Sequence, residues 1–148
     1  RLPRHDGASR DEAKELGTAV HVALENWNSA SGSPHSNNPD ALKLLQDFET
    51  GPLGKLFREI EIVGREVPML MQDDGFAWRG SIDLLYRDGD ELVVADFKTD
   101  AGIEPDEAKE RYGGQLKRYA EAVAKATEKP VRTELWMVRS GEIIRIPQ

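Results

Sequence analysis

Two apolar runs, Gly80 to Tyr86 and Leu92 to Lys98, flank the short segment Arg87-Asp88-Gly89-Asp90. Runs of this length on either side of an Asp-Gly turn encode an antiparallel hairpin, because the turn supplies the positive φ angles that close it. Each run also carries charge where a buried strand would not. Asp83 interrupts the first, and Asp96 closes the second with Lys98 two residues on. Side chains alternate along a strand, so Asp96 and Lys98 face one side of the sheet.

Two acids on neighbouring strands beside a lysine suit one chemistry well. The acids can hold a divalent cation that polarises a phosphate and activates a water. The lysine can orient that water or stabilise charge building on the phosphate. The plain alternative is a hairpin whose strand ends carry solvated charges.

Length and composition narrow the setting. A chain of 148 residues, 39% hydrophobic and 32% charged, is one domain with room for a core. No apolar run approaches a membrane span, and no secretory signal pattern is present, so neither a membrane nor secretion is expected. The absence of cysteine removes disulfides, thiolate zinc and iron–sulfur clusters, and fits a reducing compartment. The chain opens on Arg1 rather than methionine, and Arg1 to Ala8 reads as a linker. The expectation is a domain cut from a longer polypeptide. A net charge of −7 argues against gripping nucleic acid through a bulk positive field.

Along the chain, Ser9 and Glu12 form a capping box that starts a helix near Arg10. Ala13, Leu16, Val20, Leu24 and Trp27 are its apolar stripe. Gly17, His21 and Glu25 lie four apart on a neighbouring face. Gly17 signals close approach by a backbone or ligand. His21 is either a satisfied core histidine or a metal ligand. Glu25 is either a partner that orients the ring or a surface acid. Ser29 to Asn38 is a polar loop in which His35 is solvated. Asn38 caps a second helix with Pro39 at its first position, Leu42, Leu45 and Phe48 on its buried side and Gly51-Pro52 at its end. A short helical turn follows through Lys55 and Phe57.

Glu59 to Met71 has strand character, with Pro68 marking an edge or a bulge. Gln72 to Gly75 turns the chain into the strand bearing Asp83. Glu66 reads as an exposed strand acid that can reach the same site. After the Thr99 to Ile103 loop a long helix begins near Pro105, with Ala108, Tyr112, Leu116, Tyr119 and Val123 at helical spacing. Tyr112 and Tyr119 read first as core-edge aromatics, and Gly113-Gly114 as a point of close approach. Val131 to Val138 and Ile143 to Ile146 close the chain as two strands around Ser140-Gly141, with Trp136 and Met137 as packing residues. The passage from Val93 to Val138 is a strand–helix–strand crossover expected to pair in parallel. The fold class is therefore α/β: a central mixed β-sheet, an antiparallel meander plus a parallel crossover strand, flanked by helices.

Gly17 to Glu25 (G-x-x-x-H-x-x-L-E), Gly80 to Asp83 (G-x-x-D), Asp96 to Lys98 (D-x-K) and Gln115 to Tyr119 (Q-x-x-x-Y) occur in that order over most of the chain. The series resembles the nuclease domain of the PD-(D/E)XK superfamily, of the RecB/AddA type found in bacterial helicase-nucleases. The resemblance implies a restriction-endonuclease-like core over 1–148, as a C-terminal fragment of a helicase-nuclease that processes double-strand breaks. It implies Mg²⁺ or Mn²⁺ held by His21, Asp83, Asp96 and the backbone carbonyl of Phe97, with Asp83, Asp96 and Lys98 catalytic. Gln115 and Tyr119 would place the DNA backbone, and Glu25 would stand behind His21. The implied substrate is DNA, single-stranded, cut exonucleolytically in the bacterial cytoplasm. Helicase domains of the parent chain and a second subunit would be its partners. The sequence contains no Walker A pattern, so ATP dependence would lie elsewhere. The rival is an inactive nuclease-fold module that binds DNA or scaffolds. A standalone enzyme acting on RNA or branched DNA is a third reading.

Overall fold

The computed structural model describes residues 6–147. The expected linker lies outside them as far as residue 5. From Asp6 on, the chain is already helical, in α1 (Asp6–Asn26). Ser9 therefore lies within the helix rather than at its start. The buried stripe of α1 is shorter than expected, running through Val20, Ala23 and Leu24 with Trp27 buried just past its end, while Ala13 is exposed.

Asn38 caps α2 (Pro39–Thr50), its side chain accepting from the backbone N–H groups of Asp40 and Ala41. Ala41, Leu45 and Phe48 are buried, while Leu42 is half-buried. Gly51 separates α2 from α3 (Pro52–Glu59). Trp27, Phe48 and Phe57 pack ring on ring, Trp27 stacked on Phe57 at 4.9 Å, and lock α1, α2 and α3 together.

Strand β1 (Glu61–Asp73) and β2 (Phe76–Asp88) form a long hairpin. It closes through Asp74 and Gly75, both at positive φ, which is the tight two-residue turn that suits strand twist. The second turn is a correction. Asp88 pairs with Glu91, so the turn residues are Gly89 and Asp90, and Gly89 alone takes positive φ.

Strand β3 (Glu91–Lys98) leads through α4 (Pro105–Thr127) to β4 (Val131–Met137), which pairs with β3 in parallel. β5 (Glu142–Ile146) closes the sheet antiparallel to β4, giving the order β1-β2-β3-β4-β5. This is the expected mixed sheet, and β1 is the edge strand in which Pro68 needs no ladder donor. One face of the sheet packs Leu84, Tyr86, Val93, Ala95, Phe97 and Trp136 against α1, α2 and α3. The other packs Ile82, Val94, Leu135 and Ile144 against Leu116, Tyr119 and Val123 of α4. Trp136 and Met137 are packing residues, 0% and 4% exposed. Among the described residues no helix is long and apolar enough to cross a membrane.

Candidate active site

The β2–β3 ladder ends at Leu84↔Ala95, one pair short of Asp83 and Asp96. Beyond that point β2 continues with β1 alone, while β3 continues with β4 through Lys98. Such a parting leaves backbone donors without ladder partners, and a side chain must take them. Asp83 does so: its Oδ2 accepts the Phe97 N–H at 2.9 Å. In a strand, one residue's N–H and C=O leave toward the same neighbour. The Phe97 carbonyl is thereby turned to the gap in which Asp83 sits.

On β1, Glu66 lies between the pairs Arg65↔Leu84 and Val67↔Ile82 and takes φ +45°, a conformation costly for a non-glycine residue. The strand turns at this point. Glu66 accepts a hydrogen bond from Ser81 Oγ at 2.9 Å, and burial raises its pKa, with Asp83 and Glu25 adding to the rise.

From α1, His21 reaches the same gap. Its Nε2 lies 2.9 Å from Asp83 Oδ2, and its Nδ1 donates to the Gly17 carbonyl at 2.7 Å. α1 has no basic residue in its last turn, and Arg65 from β1 serves instead. The guanidinium donates to the carbonyls of Leu24, Glu25 and Trp27 while lying 5.0 Å over the Phe57 ring. That clamp ties the end of α1 to the strand facing Asp83. Among the described residues no hydrogen bond joins Glu25 to His21. Glu25 is exposed, and the Gly17 carbonyl orients the ring.

From β3, Asp96 and Lys98 share the α4 side of the sheet as alternation requires, and Lys98 Nζ lies 3.0 Å from Asp96 Oδ2. Lys98 also sits 4.0 Å above the Tyr112 ring, whose hydroxyl donates to Asp100 at 2.7 Å. Tyr112 thus becomes part of the site's wall, a role its helical spacing conceals. Gln115 donates to Tyr119 Oη at 3.1 Å. The Tyr119 hydroxyl lies so close to β2 that a Cβ at Gly80 would stand 2.1 Å from it. That contact explains the glycine three residues before Asp83, which sequence spacing alone leaves without a cause. Gly17 faces Thr99 Oγ1, whereas Gly114 has nothing near it.

The electrostatics follow from two acids sharing a partly closed gap. Burial raises the Asp96 carboxyl to about 7, reinforced by the neighbouring Asp83 and opposed by Lys98. Burial alone would also raise Asp83, but hydrogen bonds from His21 and Asp96 and the positive imidazole hold it below the ordinary value. Burial alone would lower His21; the bond and charge of Asp83 outweigh it and lift the ring to about 9. Burial likewise opposes the charge on Lys98, and Asp96 more than compensates, so its pKa lies above the ordinary value. One ligand atom from each of His21, Asp83 and Asp96 lies within 4.8 Å of the others. An imidazole nitrogen, two carboxylates and an adjacent carbonyl are a donor set that fits Mg²⁺ or Mn²⁺.

Comparison with known proteins bears on the same residues. The family model of the PD-(D/E)XK nuclease superfamily matches residues 43–145. An ATP-dependent helicase/nuclease subunit of Streptococcus agalactiae is 30% identical over 86% of this chain and 12% of that protein. The helicase/nuclease subunit of the same name in Streptococcus pyogenes (strain Manfredo) is 35% identical over 95% of this chain and 13% of that protein. That of Clostridium botulinum is 36% identical over 60% of this chain and 8% of that protein. The chain spans about an eighth or less of the length of these relatives.

Proposed function

The chain belongs to the PD-(D/E)XK nuclease superfamily, and on that premise we propose that it is a divalent-metal-dependent deoxyribonuclease domain of a bacterial helicase-nuclease. Its work would be exonucleolytic hydrolysis of DNA strands delivered by helicase domains of the same polypeptide and a second subunit, in the cytoplasm. The single observation carrying this reading is the convergence of His21, Asp83 and Asp96 at a parting of two strands, with Lys98 bonded to Asp96.

Bound there, Mg²⁺ or Mn²⁺ would polarise the scissile phosphate and make a water acidic enough to attack it. The chain's own groups supply the rest. His21 offers Nε2 as a ligand once that atom loses its proton, and the Gly17 carbonyl holds the remaining proton on Nδ1. Asp83, already ionised, and Asp96, on giving up its proton, would be the carboxylate ligands, with the Phe97 carbonyl as a fourth donor. Lys98 keeps its ammonium beside Asp96 and faces the charge that grows on the phosphate. Gln115 and Tyr119 would hold the strand's backbone from the α4 side, and Glu25, proposed behind His21, adds its charge to the field around Glu66.

The intact set of Asp83, Asp96 and Lys98 favours an enzyme over an inactive DNA-binding module, which has no chemical use for it. The test is cleavage of end-labelled single-stranded DNA in Mn²⁺, Mg²⁺ and EDTA, beside Asp96→Ala and Lys98→Ala. Cutting should require metal. Asp96→Ala should lower the rate by roughly a thousandfold or more, as loss of several kcal/mol of transition-state stabilisation implies. Lys98→Ala should keep metal binding and lose about a hundredfold to a thousandfold in rate. Cutting that persists in EDTA, or an Asp96→Ala variant as fast as the parent chain, would overturn the reading. Preference for RNA or branched DNA in the same assay would replace the substrate and keep the chemistry.

A further inference from the structure

Beyond the parting of the strands, the β1–β2 hairpin runs on over α4 and encloses a groove of about 820 Å³. Leu70, Met71, Trp78, Arg118, Ala122 and Lys125 line it, with Glu121 as the acid among them. Within it the Arg118 guanidinium lies 4.0 Å over the Trp78 ring. Trp78 is half-buried and Arg118 is exposed, so a guanidinium seated over the indole belongs to a side chain that solvent reaches. No carboxylate pairs with Arg118 among the described residues. A long cation in an acidic chain is thus held by an aromatic ring instead of by an acid.

Placement ties this stack to the active site. Trp78, Gly80 and Ile82 point to the α4 side of the sheet, where Asp96 and Lys98 also lie. Arg118 adjoins Tyr119 and stands one helical turn beyond Gln115. Trp78 lies five residues from Asp83, roughly 17 Å along the strand by its rise per residue.

Resting on the nuclease reading above, we infer that the Trp78–Arg118 stack is a strand-holding subsite for single-stranded nucleic acid, on which a base several positions from the cleaved bond stacks. A guanidinium plane backed by an indole is a stacking surface that accepts any base, since every base has a π-face. The positive charge answers the phosphate backbone locally, where the net field of the chain cannot. A tail held here lies across Tyr119 and Gln115 toward Lys98. Sequence-independent grip of this kind is what a nuclease consuming arbitrary strands requires.

The test reads binding with catalysis switched off. Trp27 and Trp136 are 3% and 0% exposed, so a change of tryptophan emission on adding oligothymidylate in EDTA reports Trp78. Emission should be quenched by a twenty-nucleotide oligomer. Trp78→Leu and Arg118→Ala should each weaken binding of that oligomer about tenfold, within the range for losing one stacked base. Trp78→Phe should recover most of the loss, which a merely structural role would not produce if circular dichroism shows all variants folded. Unquenched emission with binding intact would place the strand elsewhere and overturn the subsite. Affinities unchanged in both variants would do the same, and would favour this face as a docking surface for another protein domain. Quenching without any metal-dependent cutting would sink the nuclease reading and leave the subsite standing; cutting without quenching would do the reverse.

Discussion

At the scale of single residues, the site is a competition for protons. His21 titrates near 9 and Asp96 near 7, each above its ordinary value, and Glu66 is raised in the same direction. A group whose folded pKa is raised binds protons more tightly in the native state, so stability falls as pH rises from its unfolded to its folded value. For Asp96 that window runs from about 3.8 to about 7, and for His21 from 6.5 to about 9. The metal-free chain should therefore lose thermal stability steadily from pH 5 to pH 9. Removing one acid relieves the repulsion, so Asp96→Asn should be more stable than the parent at pH 8 and flatter between pH 4 and 7. The same protons oppose metal, since a ligand must give up its proton to bind. Mn²⁺ affinity should rise from pH 6 to pH 9, with more than one proton released per ion near pH 7. Thermal melts in EDTA and Mn²⁺ across pH, with calorimetry in buffers of different ionisation enthalpy, check both. A stability that climbs toward pH 9 without metal, or an affinity flat in pH, would show that these residues do not share the gap as described. Asp83, Asp96 and Lys98 were legible in the sequence because their residue types break an apolar pattern. Tyr112 and the Gly17 carbonyl were not, because an aromatic at helical spacing and a backbone oxygen carry no signal of their own.

Among the elements, the hairpin and its neighbouring helices set the geometry. Helix and strand types followed from periodicity, and the parallel pairing of β3 with β4 followed from the length of the crossover. What periodicity could not give is the parting of β2 from β3, because it is a change of pairing between strands and leaves the alternation within each unchanged. Nor could it show that Ser9 lies inside α1, since Ser and Glu at that spacing occur within helices as well as at their starts. Gly80 exposes the coupling between elements most directly. A methyl at that position would stand 2.1 Å from Tyr119 Oη and 3.0 Å from its ring, so α4 or the phenol must shift. Gly80→Ala should destabilise the chain by about 1–3 kcal/mol, the usual range for overpacking. In a Tyr119→Ala background the same change should cost far less, because the clashing ring is gone. Urea unfolding of the four proteins of this cycle measures the coupling. Additive losses would mean that Gly80 is needed for strand conformation alone and that Tyr119 is not held against it.

For the whole molecule, charge decides how strands are gathered. The net −7 is spread over a chain in which several cations are tied to acids: Arg132 with Asp88, Glu91 and Glu134, Arg111 with Asp100 and Glu107, and Lys98 with Asp96. Buried Glu134 accepts from Tyr86 and Trp136 as well as Arg132, so that network stabilises the far end of the sheet and offers nothing to a phosphate. Arg118 and Lys125 in the groove, with Lys98 at the site, are the cations placed to meet a strand. Salt dependence counts such contacts, because each neutralised phosphate on a single strand contributes about −0.7 to the slope of log K against log salt. With only these three cations along the proposed path, the chain alone should bind a twenty-nucleotide oligomer weakly, with a slope of only about −1 to −2. Arg118→Ala should bring it closer to zero by about 0.7, whereas Arg132→Ala should leave it unchanged despite removing the same charge. Titrations between 50 and 300 mM salt in EDTA supply these slopes. A steep slope near −5 would require a cationic track well beyond these three side chains and would overturn this account. A shallow one would agree with the proposal that strands reach this domain from a neighbour that grips them more strongly.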